Sequence, residues 1–393
     1  MTYVIVKQSP QFHQMSLDEF LFSDEDYCPS VAWNTTNTRT YKVDEVSRRI
    51  QKRMNINVRG IIWDLVSFNE ATKELHERPR KELYREFFIP KKSGGLRKID
   101  APEPELLEAL RNLKSIFETR CCNPEWKGML YHTSAFAYIK GRCHIDALKR
   151  HQSNESKWFA KFDFSNFFGS TTPEFVMKMM SEIYPFSEVI ADERGKEALE
   201  TAIDLAFLDG GLPQGTPISP FLTNLIMIPI DYKLQNAFRD FGNQKYIYTR
   251  YADDILVSSK YSFRYKDVEN FILETLREFD APFTLNTKKT RYGSAAGANW
   301  NLGVMLNKDN QITVGHKKKR QFKAMLASYI MDKKNGKAWD KSDIMTMEGY
   351  RNYYRMVEKE TIDGIVEKLN EKFQVDVVDM IKRDLKPVQA FEF

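Results

Sequence analysis

The chain has 393 residues, 42% hydrophobic and 29% charged. That composition excludes a disordered or fibrous protein, and the length predicts two or three subdomains, because single cores stop growing near ~250–300 residues. Lys and Arg number 59 against 54 Asp and Glu, a net charge of +5, which fits a nucleic-acid partner without establishing one. No stretch approaches the roughly 20 apolar residues of a bilayer span, and no basic-then-apolar leader opens the chain. Cys28, Cys121, Cys122 and Cys143 match no zinc spacing. A reduced cytoplasmic protein with no membrane partner is expected.

In chain order, the first 60 or so residues mix short apolar stretches with charge and carry no motif. Ala71–Glu86 is densely charged, and Pro79 would interrupt a helix there. Phe87 to Ile99 has apolar ends around a Ser93-Gly94-Gly95 tip, which predicts a β-hairpin with cations near its turn. Leu106, Leu107, Leu110, Leu113 and Phe117 recur at helical spacing over 103–118. Trp158–Phe164 reads as a mostly buried strand with an acid, Asp163, near its end. Residues 173–208 read as helical with an acidic break at Asp192–Glu193. The loop Gly210-Gly211-Leu212-Pro213-Gln214-Gly215 then leads to an apolar helix from about Pro220 to Phe241, kinked at Pro229.

Two β-rich runs, 246–252 and 255–259, flank Asp253-Asp254, which predicts a hairpin with two carboxylates at its turn. A helix over 267–279, a short strand at 283–285, strands at 300–306 and 311–314 and a helical C-terminal region complete the chain. Strands and helices alternate without a regular βαβ rhythm, so the expected class is α+β. Adjacent carboxylates at a hairpin tip repel each other; a solvated Asp-Asp turn is the plain alternative. Asp163 shifts that balance. Three carboxylates on strand ends can gather two Mg²⁺ ions, which prefer oxygen ligands. Such ions, about 3.5–4 Å apart, would activate a primer 3′-hydroxyl and stabilise leaving pyrophosphate.

Phe162-Asp163-Phe164-Ser165-Asn166-Phe167-Phe168, Leu212-Pro213-Gln214-Gly215-Thr216-Pro217-Ile218-Ser219-Pro220 and Tyr251-Ala252-Asp253-Asp254 resemble the three central palm motifs of reverse transcriptases, in the family's order. Ile89-Pro90-Lys91-Lys92-Ser93-Gly94-Gly95-Leu96-Arg97 resembles the fingers motif of bacterial members. Leu285-Asn286-Thr287-Lys288-Lys289-Thr290 and Asn301-Leu302-Gly303-Val304 resemble the motifs that follow the catalytic hairpin. The resemblance runs from about residue 85 to 326. It implies a right-hand polymerase with an N-terminal extension (1–75), fingers (76–162), a palm (163–306, with a finger insertion at about 173–210) and a helical thumb (307–393).

The resemblance also implies roles. Asp163 and Asp253 are the principal metal ligands, assisted by the Phe164 carbonyl, and Asp254 is the second acid of the pair. The cofactor is two Mg²⁺ ions, with Mn²⁺ as the alternative. Lys91 and Arg97 contact the incoming triphosphate, where a guanidinium suits phosphate oxygens. Gln214 and Gly215 shape the nucleotide pocket, and Lys289 lies near the pyrophosphate as a general acid. Phe168 occupies the sugar-gate position, where a ring crowds a 2′-hydroxyl; a plain core aromatic is its alternative. Asn166 departs from the acid that many relatives carry.

Gly315 to Lys323 contains five cations and no acid, which favours phosphate contact by Lys317, Lys318, Lys319 and Arg320. Lys140 and Arg142 form a second basic group, inside Ala135–Arg142, a stretch similar to retron enzymes. Where retrons carry Val-Thr-Gly, this chain reads Asn301-Leu302-Gly303, which moves weight toward related bacterial enzymes of anti-phage defence. Tyr350, Tyr353 and Tyr354 suit either base stacking or a core stripe, the latter being favoured.

The C-terminal remainder is too short for a thumb plus an RNase H domain, and no His-Asn-His nuclease pattern occurs. The implied function is RNA-directed DNA synthesis, copying a dedicated noncoding RNA with dNTPs into DNA. An accessory protein or a second copy would be a further partner. Template-independent or protein-primed synthesis, an idle RNA-binding scaffold and an RNA-making polymerase are the alternatives. Ala252 and Phe168 argue against the last, which would carry Gly and a polar residue there.

Overall fold

A computed structural model describes residues 3–6, 39–42, 56–90, 94–121, 131–239, 241–242, 244–295 and 303–385. Of the proposed triphosphate ligands, Lys91 lies outside the described residues, as do Asn301 and Leu302. The chain divides into two compact units: Met1–Ala147 with Trp158–Gly293, and Leu148–Lys157 with Ser294–Phe393.

In the first unit, β1 (Tyr3–Val6) and β2 (Arg39–Lys42) pair antiparallel. Helix α1 (Val58–Ala71) starts where the Asn57 side chain accepts from the Gly60 N–H at 3.0 Å, and it buries Ile61, Leu65 and Phe68. The spacing of those three residues is one helix face. No sequence signal singled out this helix. The charged stretch behind it contains only the short α2 (Lys73–Glu77), followed by Pro79 and a single 3-10 turn, as a proline there requires.

The expected hairpin is present as β3 (Tyr84–Pro90) and β4 (Leu96–Pro102), paired antiparallel with Ile89 opposite Arg97. Helix α3 (Pro104–Arg120) buries Leu106, Leu110, Leu113 and Phe117. Phe117 stacks on Phe221 at 5.6 Å and meets Phe186 edge-on at 5.4 Å, tying three helices into one core.

Helix α4 (His144–Ser153) crosses the boundary between the units. β5 (Trp158–Ser165) follows, buried along most of its length. Residues 173–204 form α5 (Pro173–Met180), α6 (Phe186–Ala191) and α7 (Glu193–Asp204). The acidic break is a cap: Asp192 accepts from the Gly195 N–H at 2.8 Å.

The expected single apolar helix is in fact two, α8 (Ser219–Ile226) and α9 (Ile228–Phe238). Pro229 lies in the first turn of α9, where its missing N–H leaves no bond unmade, so the proline starts a helix instead of kinking one. β6 (Tyr246–Tyr251) and β7 (Asp254–Ser259) make the second hairpin, α10 (Tyr265–Glu278) follows, and β8 (Thr284–Leu285) and β9 (Arg291–Ser294) add to the sheet. The five-stranded sheet runs β6-β7-β5-β8, with β9 also paired to β5.

The second unit pairs β10 (Met305–Leu306) with β11 (Ile312–Thr313) and packs four helices: α11 (His316–Lys334), α12 (Lys341–Val357), α13 (Lys359–Phe373) and α14 (Val377–Leu385). Its interior holds Phe322, Leu326, Tyr329, Met347, Ile362 and Ile381. Tyr354 is core, as favoured, while Tyr350 stacks on it with one face exposed. The class is α+β, built on an antiparallel sheet. Among the described residues no helix is long and apolar enough to cross a membrane.

Candidate active site at the end of the central sheet

β5 and β7 pair so that Asp163 stands directly opposite Asp254. The β6–β7 turn is only two residues long, Ala252-Asp253, because Tyr251 pairs with Asp254. Sheet register thus brings Asp163, Asp253 and Asp254 to one place. The Phe164 N–H donates to the Asp253 carbonyl at 3.0 Å and the Asn286 N–H to the Asp163 carbonyl at 2.8 Å. β5, the β6–β7 turn and the segment after β8 are therefore stitched by backbone alone.

The electrostatics are those of crowded acids. Burial, then Asp254, then Asp163 push the Asp253 carboxyl above its ordinary value. Burial also raises Asp254, against the pull of Lys161, whose Nζ donates to Asp254 Oδ2 at 2.8 Å. Lys289 Nζ donates to Asp163 Oδ1 at 2.7 Å, and that bond raises the lysine pKa. Among the described residues no three ligating side chains already stand as a closed metal cage; two of the acids are turned to lysines. The donor chemistry nonetheless fits divalent cations: three carboxylates compensated by only two ammonium groups, with oxygen-only donors. Asp163, Phe164, Asp253 and Asp254 would supply those oxygens.

Lys161 escaped the sequence reading. Its signal was the two-residue period of a strand, which puts Lys161 and Asp163 on one face. Tyr138 was missed too. It is an exposed aromatic with φ 60, and its hydroxyl pKa is raised by partial burial and by the nearby Asp253 charge, with Arg97 pulling the other way.

The other expected residues divide clearly. Gln214 and Gly215 meet β4: the Asp100 N–H donates to the Gln214 carbonyl at 2.9 Å, and a Cβ on Gly215 would stand 2.9 Å from the Asp100 carbonyl. Gly215 also has φ 130, so glycine is required twice over. Phe168 is half-buried, meets Phe167 edge-on, and its carbonyl accepts from the Leu212 N–H at 3.0 Å. Arg97 is exposed on β4. Lys140 is exposed, whereas Arg142 donates to the carbonyls of His132 and Ala135 and so braces its own loop.

In the second unit Lys317 and Arg320 are exposed. Lys318 donates to the Gly303 carbonyl at 2.6 Å and Lys319 to Glu358 at 2.7 Å, so these two are engaged within the unit.

Three carboxylates gathered at the end of an antiparallel sheet make a site suited to divalent-cation chemistry on phosphates. Residues 89–325 match the family described as Reverse transcriptase (RNA-dependent DNA polymerase). The chain belongs to that family and is an RNA-directed DNA polymerase of the right-hand type. It is similar to the Retron Ec83 reverse transcriptase of Escherichia coli, 26% identical over 318 residues, covering 79% of this chain and 92% of that one. The Retron Ec73 reverse transcriptase of Escherichia coli is 28% identical over 213 residues, covering 53% and 64%. The Retron Mx65 reverse transcriptase of Myxococcus xanthus is 26% identical over 260 residues, covering 63% and 57%. Among solved structures, apo telomerase from Candida tropicalis aligns with a TM-score of 0.44 and 11% identity, covering 82% of this chain and 66% of that one.

Proposed function

We propose that this chain extends a primer 3′ end with deoxynucleotides by a two-metal mechanism, copying a dedicated noncoding RNA as part of bacterial anti-phage defence. The observation that carries the mechanism is the register of Asp163 against Asp254, with Asp253 in the turn between the strands. When bound, two Mg²⁺ (or Mn²⁺) ions would lower the pKa of the primer hydroxyl and neutralise charge building on the phosphates.

The protein's own part is positional. Asp163, Asp253 and the Phe164 carbonyl would hold the metals, and Asp254 would complete the pair toward the primer end. Lys289 keeps its proton beside Asp163 and serves as the donor to leaving pyrophosphate. Arg97 and Lys91 grip the triphosphate. Gln214 and Gly215 form the floor of the nucleotide pocket, and Phe168 excludes a 2′-hydroxyl by steric contact. We assign residues 76–162 to fingers, 163–306 to palm and 307–393 to thumb. Lys140 in the fingers, with Lys317 and Arg320 in the thumb, contact the nucleic-acid backbone.

The relatives are named as reverse transcriptases, which supports synthesis on an RNA template. The test is to purify the protein with its bound nucleic acid, sequence both strands, and repeat with Asp253→Asn. A DNA complementary to one defined RNA, absent from the variant, is expected. A DNA of random sequence or one begun on a protein side chain would replace templated copying with the template-independent or protein-primed reading. DNA at parental yield from the variant would overturn the site assignment.

A further inference from the structure

The residue just ahead of the catalytic motif is the largest fully buried side chain in the described fold. Arg250, on β6, has a wholly buried guanidinium. Its Nε and Nη2 donate to both oxygens of Asp231 on α9, at 2.9 and 2.8 Å. Nη1 donates to Asn224 Oδ1 on α8 and to the Ala252 carbonyl, both at 3.1 Å. The Tyr248 hydroxyl donates to the same Asp231 at 2.6 Å, and Asn224 Nδ2 donates to the Ala137 carbonyl at 2.7 Å. Arg250 also anchors the loop before α4 by backbone: its N–H donates to the Ser134 carbonyl and its carbonyl accepts from the Phe136 N–H.

A buried charged cluster is a poor way to gain stability, since apolar residues of the same volume serve as well or better. What this one does is reach the catalytic turn. Ala252 has φ 57, a left-handed conformation that a Cβ disfavours. Such a conformation persists only when its surroundings over-determine it. Two successive carbonyls of the turn are held: Ala252 by Arg250, and Asp253 by the Phe164 N–H. With both pinned, the Asp253 side chain has one direction in which to leave the backbone.

We propose that Arg250, locked by Asp231 and Asn224, is a positioning residue that holds the Ala252-Asp253 turn in its left-handed form and thereby aims the Asp253 carboxylate. The proposal rests on Asp253 being catalytic. Arg250→Lys keeps a charge against Asp231 but cannot fork to Asn224 and the Ala252 carbonyl as well. It should lower kcat about 100-fold, the scale of an ångström's misplacement, and leave KM for dNTP and primer–template affinity within about twofold.

The distinguishing arm is Arg250→Lys combined with Ala252→Gly. Glycine takes positive φ without strain, so it should restore most of the lost kcat when both variants are assayed well below their melting temperatures. A merely structural arginine would give a kcat loss that follows the melting temperature, with no rescue by glycine. Should Arg250→Lys not fold, Arg250→Met with Asp231→Leu and Tyr248→Phe removes the charged pair and the tyrosine hydroxyl together, leaving Asn224 bonded to the Ala137 carbonyl, and the same glycine rescue is read in that background. Asp253→Asn is run alongside. If it is inactive while Arg250→Lys keeps the parental kcat, or if glycine rescues nothing, the clamp falls and the catalytic assignment stands. If Asp253→Asn is active, the assignment itself falls.

Discussion

Asp253, in the proposed catalytic group, has its carboxyl pKa raised by burial and by two neighbouring acids. A carboxyl whose folded pKa lies above its unfolded value favours the fold when protonated. That advantage is lost as pH rises from the unfolded value, near ~3.9, through the folded one. At neutral pH and without metal, ionised Asp253 therefore works against stability. Asp253→Asn should cut primer extension about 10³-fold or more, as losing several kcal/mol of metal-borne stabilisation requires. It should also raise the melting temperature in chelator at pH 7, and that gain should vanish below about pH 4, where the parent is protonated as well. A melting-temperature gain over the parent that is no larger at pH 7 than at pH 3.5 would remove the repulsion argument. Phe168→Ala tests the sugar gate. Steric penalties of about 1–3 kcal/mol correspond to roughly 5- to 160-fold discrimination, so the dGTP-to-GTP efficiency ratio on a primed RNA template should fall by that order. An unmoved ratio would make Phe168 a core residue. The three aspartates were legible because paired acids between β-rich runs have little structural use. Lys161 and the Arg250 cluster were not, because their partners are defined by register and by helix packing rather than by nearby sequence.

At the scale of elements, strand hairpins and amphipathic helices followed from periodicity and turn residues, as in β3–β4, β6–β7 and α3. The misreading of Pro229 shows where this ends: a proline inside an apolar run signals equally a kink or a new first turn, and packing decides which. Gly215 joins two elements by close approach. Gly215→Ala should push the loop before α8 off β4, costing about 1–3 kcal/mol from backbone strain alone. The loss should appear as a lower melting temperature together with a higher KM for dNTP; a silent substitution would break the proposed pocket floor. Helix α11 offers a paired comparison. Replacing exposed Lys317 and Arg320 with Ala should weaken RNA–DNA duplex binding and flatten its salt dependence, by about 0.9 in slope for each phosphate no longer neutralised. Replacing Lys318 and Lys319, bonded to Gly303 and Glu358, should instead lower stability and leave the slope largely intact. Equal slopes from the two pairs would place this helix away from nucleic acid.

For the whole molecule, composition bounded the class and six ordered motifs defined the family, and length called for more than one unit, whereas the way the chain is shared between the two units did not follow from sequence. Leu148–Lys157 belongs with the C-terminal unit although it precedes the central strand, a partition that only long-range packing reveals. The same topology has a temporal consequence. Lys161 and Asp254 are 93 positions apart, and Asp163 and Lys289 are 126 apart. Contacts so distant along the chain close late, after local helices have formed. A growing polypeptide therefore emerges from the ribosome, next to its own messenger RNA, with Asp163 in place, Asp253 and Asp254 still to come, and no means of copying anything. Stalled nascent chains ending near residue 245 should be inert in primer extension, and activity should appear only once the second hairpin has been synthesised and has joined β5.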